Sequence, residues 1–276
     1  MSSDEHNNLV NIAKRIRTNV IKTAASIRGV RGAHIGPSLS CVEILTALYF
    51  NAMQYDIKNP RDETRDRFIL SKTHAGLTQY ATFVEAGLIS DDDLAGYHED
   101  GCELFGYPRN IDIGMEFEGG SLGMGLSYGV GQALAAKIKK LNYRVYVLLG
   151  DGELNEGSIW EAFMSAAHYK LANLVAVVDR NSFCIDGDTE KIMAIEPLDD
   201  KLRSFGWHVI SCNGHDFDEL CVALSEHSAD KPTAIIAKTV KGKGVSFMEN
   251  RREWHQAKIS GEQFKQAMSE MEGLAL

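Results

Sequence analysis

From Arg144 to Asn181 the chain reads RVYVLLGDGELNEGSIWEAFMSAAHYKLANLVAVVDRN, which divides into strand, helix and strand. Arg144–Leu149 is a β-branched and aromatic run that halts at Gly150-Asp151-Gly152. Leu174–Val178 is a second such run, and it halts at Asp179-Arg180-Asn181. Between them Ile159–Lys170 has helical spacing, with Ile159, Phe163, Ala166, Ala167 and Leu171 along one side. Two short apolar strands joined by a helix are expected to lie parallel and adjacent. Ligands of open parallel sheets bind beyond the carboxyl ends of the strands. Asp151 and Asn181 would both stand at that edge, offering a carboxylate and an amide oxygen beside a glycine that admits close backbone approach. Hard oxygen donors of this kind suit a magnesium ion carrying a diphosphate. Taken singly, Asp and Asn at strand ends more often only cap turns.

Outward from this core the alternation continues. Arg67–Leu70 reads as a short strand ending at Ser71-Lys72-Thr73-His74, and Trp207–Ser211 and Thr233–Thr239 read as two more. Helical spacing covers Leu9–Arg28, Cys41–Phe50, 76–87, 91–98, Leu122–Leu141, 216–228 and 260–272. Gly29–Leu39 and 99–120 read as glycine-dotted loops, and long loops inside compact domains tend to carry function. The fold class expected is α/β, a mostly parallel sheet with helices on both faces, forming one domain over residues 1–276. No repeat, low-complexity tract or linker divides it.

Composition excludes several roles. With a formal charge of −9 and no basic block, nucleic acid is not expected as a partner. No apolar run is long enough to cross a bilayer, and the start MSSDEHNNLV is too polar for a secretory signal. The 5 cysteines form no CxxC pair or metal-ligand cluster, which fits a reducing, cytoplasmic setting.

GDG at one strand end and asparagine at the next is the thiamine-diphosphate signature. Here it lies in a longer stretch, GDGELNEGSIWEAFMSAAHYKLANLVAVVDRNSFCIDG, which resembles the transketolase family. The resemblance extends to GAHIGPSLS (32–40), LSKTHA (70–75), GSLGMG (120–125) and KGKGVSFMENRREWH (241–255). It implies the thiamine-diphosphate-binding fold of the diphosphate-anchoring (PP) domain, with thiamine diphosphate and Mg2+ as cofactors. It implies metal ligation by Asp151, Asn181 and the backbone carbonyl of Phe183. Gly152, Glu153 and Asn181 are implied at the cofactor, as are Gly120, Ser121 and Leu122. A dinucleotide-binding reading of Gly123-Met124-Gly125 fails, because no apolar strand precedes it and residue 128 is Tyr.

The same resemblance singles out three histidines. His74 is implied at the diphosphate side of the cofactor. His34 and His255 are implied in the donor-ketose site, where an imidazole titrating near neutrality can handle hydroxyl protons, His255 also touching the cofactor. Glu156 is implied in the catalytic set, between two active sites, with Glu161 beside it; the plain alternative is a solvated helix start. His215 reads as a loop residue. Gly106-Tyr107-Pro108 departs from the family's usual GHP: Tyr107 can still donate a hydrogen bond to the cofactor, but a phenol is a poor proton shuttle at neutral pH. Arg109-Asn110 then stands where an acidic residue is common. Both changes suggest a specialised donor.

The activity implied is transfer of a two-carbon glycolaldehyde unit from a ketose donor to an aldehyde acceptor. The glutamate that activates the cofactor belongs to the family's pyrimidine-binding domain, which this sequence does not contain. The expectation is therefore a split transketolase, this chain pairing with a C-terminal transketolase subunit, in an α2β2 assembly. Two other readings stay open. One is a component of a 2-oxoacid dehydrogenase or a deoxyxylulose-phosphate-type synthase, and the other is a non-catalytic subunit that retains the fold.

Overall fold

The computed structural model of the protein describes residues 1–28, 32–56, 59–108 and 114–273. Its centre is a five-stranded, wholly parallel sheet in the order β1-β2-β3-β5-β4. The strands are β1 (Arg67–Leu70), β2 (Val145–Gly150), β3 (Leu174–Arg180), β4 (His208–Asn213) and β5 (Thr233–Lys238). Each coincides with a run expected from the sequence, within one or two residues at the ends.

Successive side chains of a strand point to opposite faces, and here both faces are covered. Phe68, Tyr146, Leu148, Val175, Val177 and Ile235 enter one core with helices α1 (Ser3–Ser26), α2 (Ile35–Leu39), α3 (Val42–Ala47) and α4 (Gly76–Glu85). The intervening residues Ile69, Val145, Val147, Leu149, Ala176 and Val178 enter the other core. After the short α5 (Asp91–Ala95), that second face is built by α6 (Gly125–Lys139), α7 (Gly157–His168) and, beyond α8 (Thr189–Ile192), α9 (Leu198–Ser204). Helices α10 (Phe217–Ser225) and α11 (Gly261–Gly273) return to the first. A strand buried on both faces reads as a continuous apolar run, which is why LVAVV and VYVLL carry no alternation.

The first helix begins at Ser3 rather than Leu9, started by a Ser2–Glu5 capping box, and three further local readings need correction. Gly29–Leu39 is not all loop: Ile35–Leu39 forms α2, with Pro37 in the first turn, where its missing N–H costs nothing. The helix expected to reach Phe50 keeps α-geometry only over Val42–Ala47 and then widens into a π-turn at Leu48–Ala52. Helices α8 and α9 went unpredicted.

Candidate active site

The carboxyl ends of β1, β2 and β3 open onto a cleft of about 420 Å³, a size suited to a cofactor-sized ligand. Asp151, Gly152, Glu153 and Glu156 enter it from the loop after β2, and Asn181 and Phe183 from the loop after β3. His34, His74, Tyr107 and His255 line it from four separate segments, and Gly120 and Leu122 from the turn before α6. Ser121 departs from expectation: it is exposed and lines an adjoining hollow with Phe117 and Met124. Glu156 lies exposed at the rim, and Glu161 is exposed on α7. Arg109 and Asn110 lie outside the described residues.

The histidines meet although they are far apart in sequence. Ala33 and Ala257 exchange backbone hydrogen bonds at 3.2 and 3.0 Å, an isolated antiparallel bridge that brings the His34 and His255 segments together. Gly32 permits this, since it sits at φ +69° and a Cβ there would lie 2.1 Å from the Ala257 carbonyl oxygen. His74 follows β1 in a short 3₁₀ turn, Thr73–Ala75. The ring centroids of His34 lie 5.7 Å from His74 and 5.6 Å from His255, and those of His74 and His255 lie 5.3 Å apart, nearly stacked. Tyr107 tilts over His34 at 5.9 Å. Burial, with Lys241 among the nearby cations, lowers His34 to about 4 and His255 to about 3. His74 is pushed well below its ordinary value, again by burial and then by Lys72. All three imidazoles are therefore neutral at pH 7, able to give or take a proton without a buried charge.

Asp151 is 1% exposed. Its Oδ1 accepts from the Gly152 amide at 2.8 Å, and its Oδ2 from the Ser182 amide at 2.5 Å and the Arg180 guanidinium at 3.1 Å. Burial, and next the Asp179 carboxylate, raise its pKa to about 6. The Asn181 amide nitrogen donates to Asp179 at 3.1 Å, which fixes the amide's orientation. Its oxygen accepts from the Phe183 amide at 3.1 Å and keeps a second lone pair. A buried carboxylate disfavoured as an anion, beside a free amide lone pair, is a donor set that a hard divalent cation would satisfy. Among the described residues no three His, Cys, Asp or Glu side chains gather as a metal site, so amide and backbone oxygens must complete the set.

Glu153 lines the cleft, but its carboxylate is spent on the protein. It accepts from the Ser71 hydroxyl at 2.5 Å, the Gly123 amide at 2.9 Å and the Gly150 amide at 3.1 Å. Three donors on one buried carboxylate tie together the loops after β1 and β2 and the glycine turn before α6. Gly152 keeps the floor clear: a Cβ there would meet the Cys184 Cβ at 2.8 Å.

Sequence reasoning missed the charged residues behind this wall. Lys72 and Asp179 form a fully buried ion pair. Asp179 also accepts from the hydroxyls of Ser40 and Thr239, and Lys72 donates to the Pro37 carbonyl at 2.9 Å. Lys241 places its Nζ 2.9 Å from His255 Nδ1, and burial lowers its pKa to about 8. An ammonium donating to Nδ1 leaves the hydrogen of His255 on Nε2, an assignment read from this network. Only position after a strand could have flagged Lys72 and Lys241, and that signal is shared with many solvated lysines.

Fold and cleft together define an α/β domain that anchors a phosphorylated cofactor at the carboxyl edge of its sheet. Residues 8–273 match the family described as "Transketolase, thiamine diphosphate binding domain", and the chain belongs to that family. The chain is 42% identical over 243 residues to an apulose-4-phosphate transketolase subunit of Phocaeicola vulgatus, covering 87% of this chain and 86% of that one. It is 40% identical to the 6-deoxy-6-sulfo-D-fructose transketolase subunit SqwG of a Clostridium species, covering 93% and 95% of the two chains. The solved transketolase of Campylobacter jejuni superposes with a TM-score of 0.87 at 29% identity, over 99% of this chain but 43% of that one. The chain thus spans about two fifths of the transketolase structures it matches.

Proposed function

We propose that the chain is the diphosphate-anchoring half of a two-chain transketolase, a single PP domain acting in the cytoplasm. A ketose gives up a two-carbon glycolaldehyde unit to an aldehyde acceptor. The partner is a second chain bearing the pyrimidine-binding domain and its activating glutamate, in an α2β2 assembly. The observation that carries this reading is the meeting of His34, His74 and His255, all neutral, in one cleft with Asp151, Gly152 and Asn181. The relatives from Phocaeicola vulgatus and Clostridium are both named as subunits, which supports a division between two chains.

Asp151, Asn181 and the Phe183 carbonyl would hold Mg2+, and Gly152 would leave room for the diphosphate. When bound, thiamine diphosphate supplies the nucleophilic carbon and the electron sink that bond cleavage next to a carbonyl requires. The chain's own work is positioning and proton handling. His255, its ring hydrogen on Nε2, lines the cleft, and His34 stands beside it to exchange protons with a hydroxyl of the donor. Tyr107 offers a phenol where the family has an imidazole, a hydroxyl able to donate a hydrogen bond to the cofactor.

The test is the complex of this chain with its partner, given Mg2+, thiamine diphosphate, a ketose labelled at C1 and C2, and an aldehyde. Label appearing in a ketose two carbons longer than the acceptor supports transketolase chemistry. Release of carbon dioxide from a 2-oxoacid, with no transfer of label from the ketose, would replace it with a decarboxylase-type reading.

A further inference from the structure

Behind the cleft wall lies a buried charged group that the proton handling above does not use. Arg17 of α1 and Glu43 of α3 are fully buried, and the guanidinium holds the carboxylate through contacts of 2.8, 2.9 and 3.1 Å. His215, just beyond β4, places Nδ1 2.8 Å from the other side of the same carboxylate. Its Nε2 accepts the Val240 amide at 2.8 Å, so the ring hydrogen is on Nδ1 and donates to Glu43. Arg17 also reaches the loop after β5, its Nε donating to the Lys243 carbonyl at 2.9 Å. Gly244 lies against that side chain, with room for no Cβ: one would meet the Arg17 Cδ at 2.8 Å.

The residues pinned in this way flank Lys241. Val240 is held by His215 and Lys243 by Arg17, while the Gly242 amide donates to the Gly36 carbonyl at 3.0 Å. The Lys241 carbonyl accepts from the Asn250 amide at 2.9 Å. Between these anchors the Lys241 side chain leaves the loop and reaches His255 Nδ1 at 2.9 Å. An ion pair this deep is weak evidence for stability, since desolvation offsets its attraction. What it supplies here is direction: Arg17 holds the backbone of one loop directly, and Glu43 holds it through His215.

We propose that His215, clamped by the Arg17–Glu43 pair, is a positioning residue that fixes the loop 240–244 and so aims Lys241 at His255. The inference rests on the functional reading above only for its kinetic consequence. His215→Leu removes the Val240 bond while leaving Glu43 paired with Arg17, so no buried charge is orphaned. His215→Gln can accept from the Val240 amide and donate to Glu43 at once. His215→Asn is one methylene too short to span both.

The experiment measures amide hydrogen exchange in the full chain and steady-state kinetics in the complex with its partner. In His215→Leu, exchange over 240–244 rises by about tenfold or more while the β2 and β3 amides stay as in wild type. In the same variant kcat falls about tenfold, with the donor KM within about twofold, because orientation rather than binding is lost. His215→Gln restores both. Exchange at 240–244 and kcat that remain at wild-type values while the melting temperature falls would overturn the proposal, as would a Gln variant no better than Leu. Should His215→Leu fail to fold, the contrast between Gln and Asn carries the same comparison. A wild-type complex that transfers no ketol group would sink the functional reading alone, and exchange at 240–244 would still decide the positioning.

Discussion

His34 and His255 stay neutral because burial first, and then nearby cations that include Lys241, disfavour their charged forms. This has a measurable consequence for stability. The unfolded chain takes up protons on these rings near pH 6.5, but the folded chain only near 4 and 3. Between those values the unfolded state binds more protons, so stability falls as the pH falls. We expect the melting temperature to drop on acidification from about pH 6.5 to 4, and to drop less in a His34→Gln/His255→Gln double variant. A double variant with the same slope would move the effect elsewhere. Asp151→Asn keeps the shape of the loop but removes the anion from the proposed metal donors. Calorimetric titration of the complex should show magnesium-dependent cofactor binding weakened by about 100-fold or more, since even outer-shell partners are worth up to that much. Asp151 and Asn181 stood out only because the longer stretch around them resembles the family; singly they would read as turn caps. Lys72, Asp179 and Arg17 did not stand out, for a buried ion pair is defined by a partner distant in sequence. Glu153 was legible in place but not in role: its three donors come from three loops that only the fold assembles.

At the level of elements, the small residues of α6 set how closely it approaches the sheet. A Cβ on Gly129 would lie 2.6 Å from Val147 Cγ2. Alanine is the better helix former by about 1 kcal/mol, but overpacking a β-branched core side chain costs about 1–3 kcal/mol. The clash outweighs propensity, and Gly129→Ala should unfold at lower denaturant concentration than wild type with an unchanged slope. A higher midpoint would mean that α6 can shift outward freely. The Ala33–Ala257 bridge is the second such element. Gly32→Ala would push a methyl into the Ala257 carbonyl at a left-handed φ, separating the His34 and His255 segments. Turnover should fall at least about tenfold in the complex, with secondary structure by circular dichroism unchanged. Retained turnover would show that the bridge does not set the histidine geometry. All five strands could be read from the sequence because each is a short apolar run bounded by polar or glycine residues: Gly, Asp or Asn after β2, β3 and β4, and Ser-Lys or Lys-Thr after β1 and β5. Helices α2, α8 and α9, at 5, 4 and 7 residues, are too short to display a helical period. They exist because neighbouring segments hold them; α8, for example, begins where the Asp188 carboxylate accepts the Glu190 amide.

For the whole molecule, the cleft is walled on one side by this chain and open on another. Ile185 and Ile192 line it at 61% and 50% exposure, and Met193 beside them is 61% exposed. Apolar side chains gathered at the rim of a site, rather than scattered, mark a surface that a second chain would cover. In the proposed complex the cofactor would lie between two polypeptides, and neither chain would turn over alone. The most direct measurement is a titration of this chain with its pyrimidine-binding partner at fixed Mg2+ and thiamine diphosphate, following ketol transfer and native mass together. The account predicts no turnover from either chain alone, turnover that saturates at equimolar mixing, and a mass equal to two copies of each. Full turnover by this chain without a partner would contradict it.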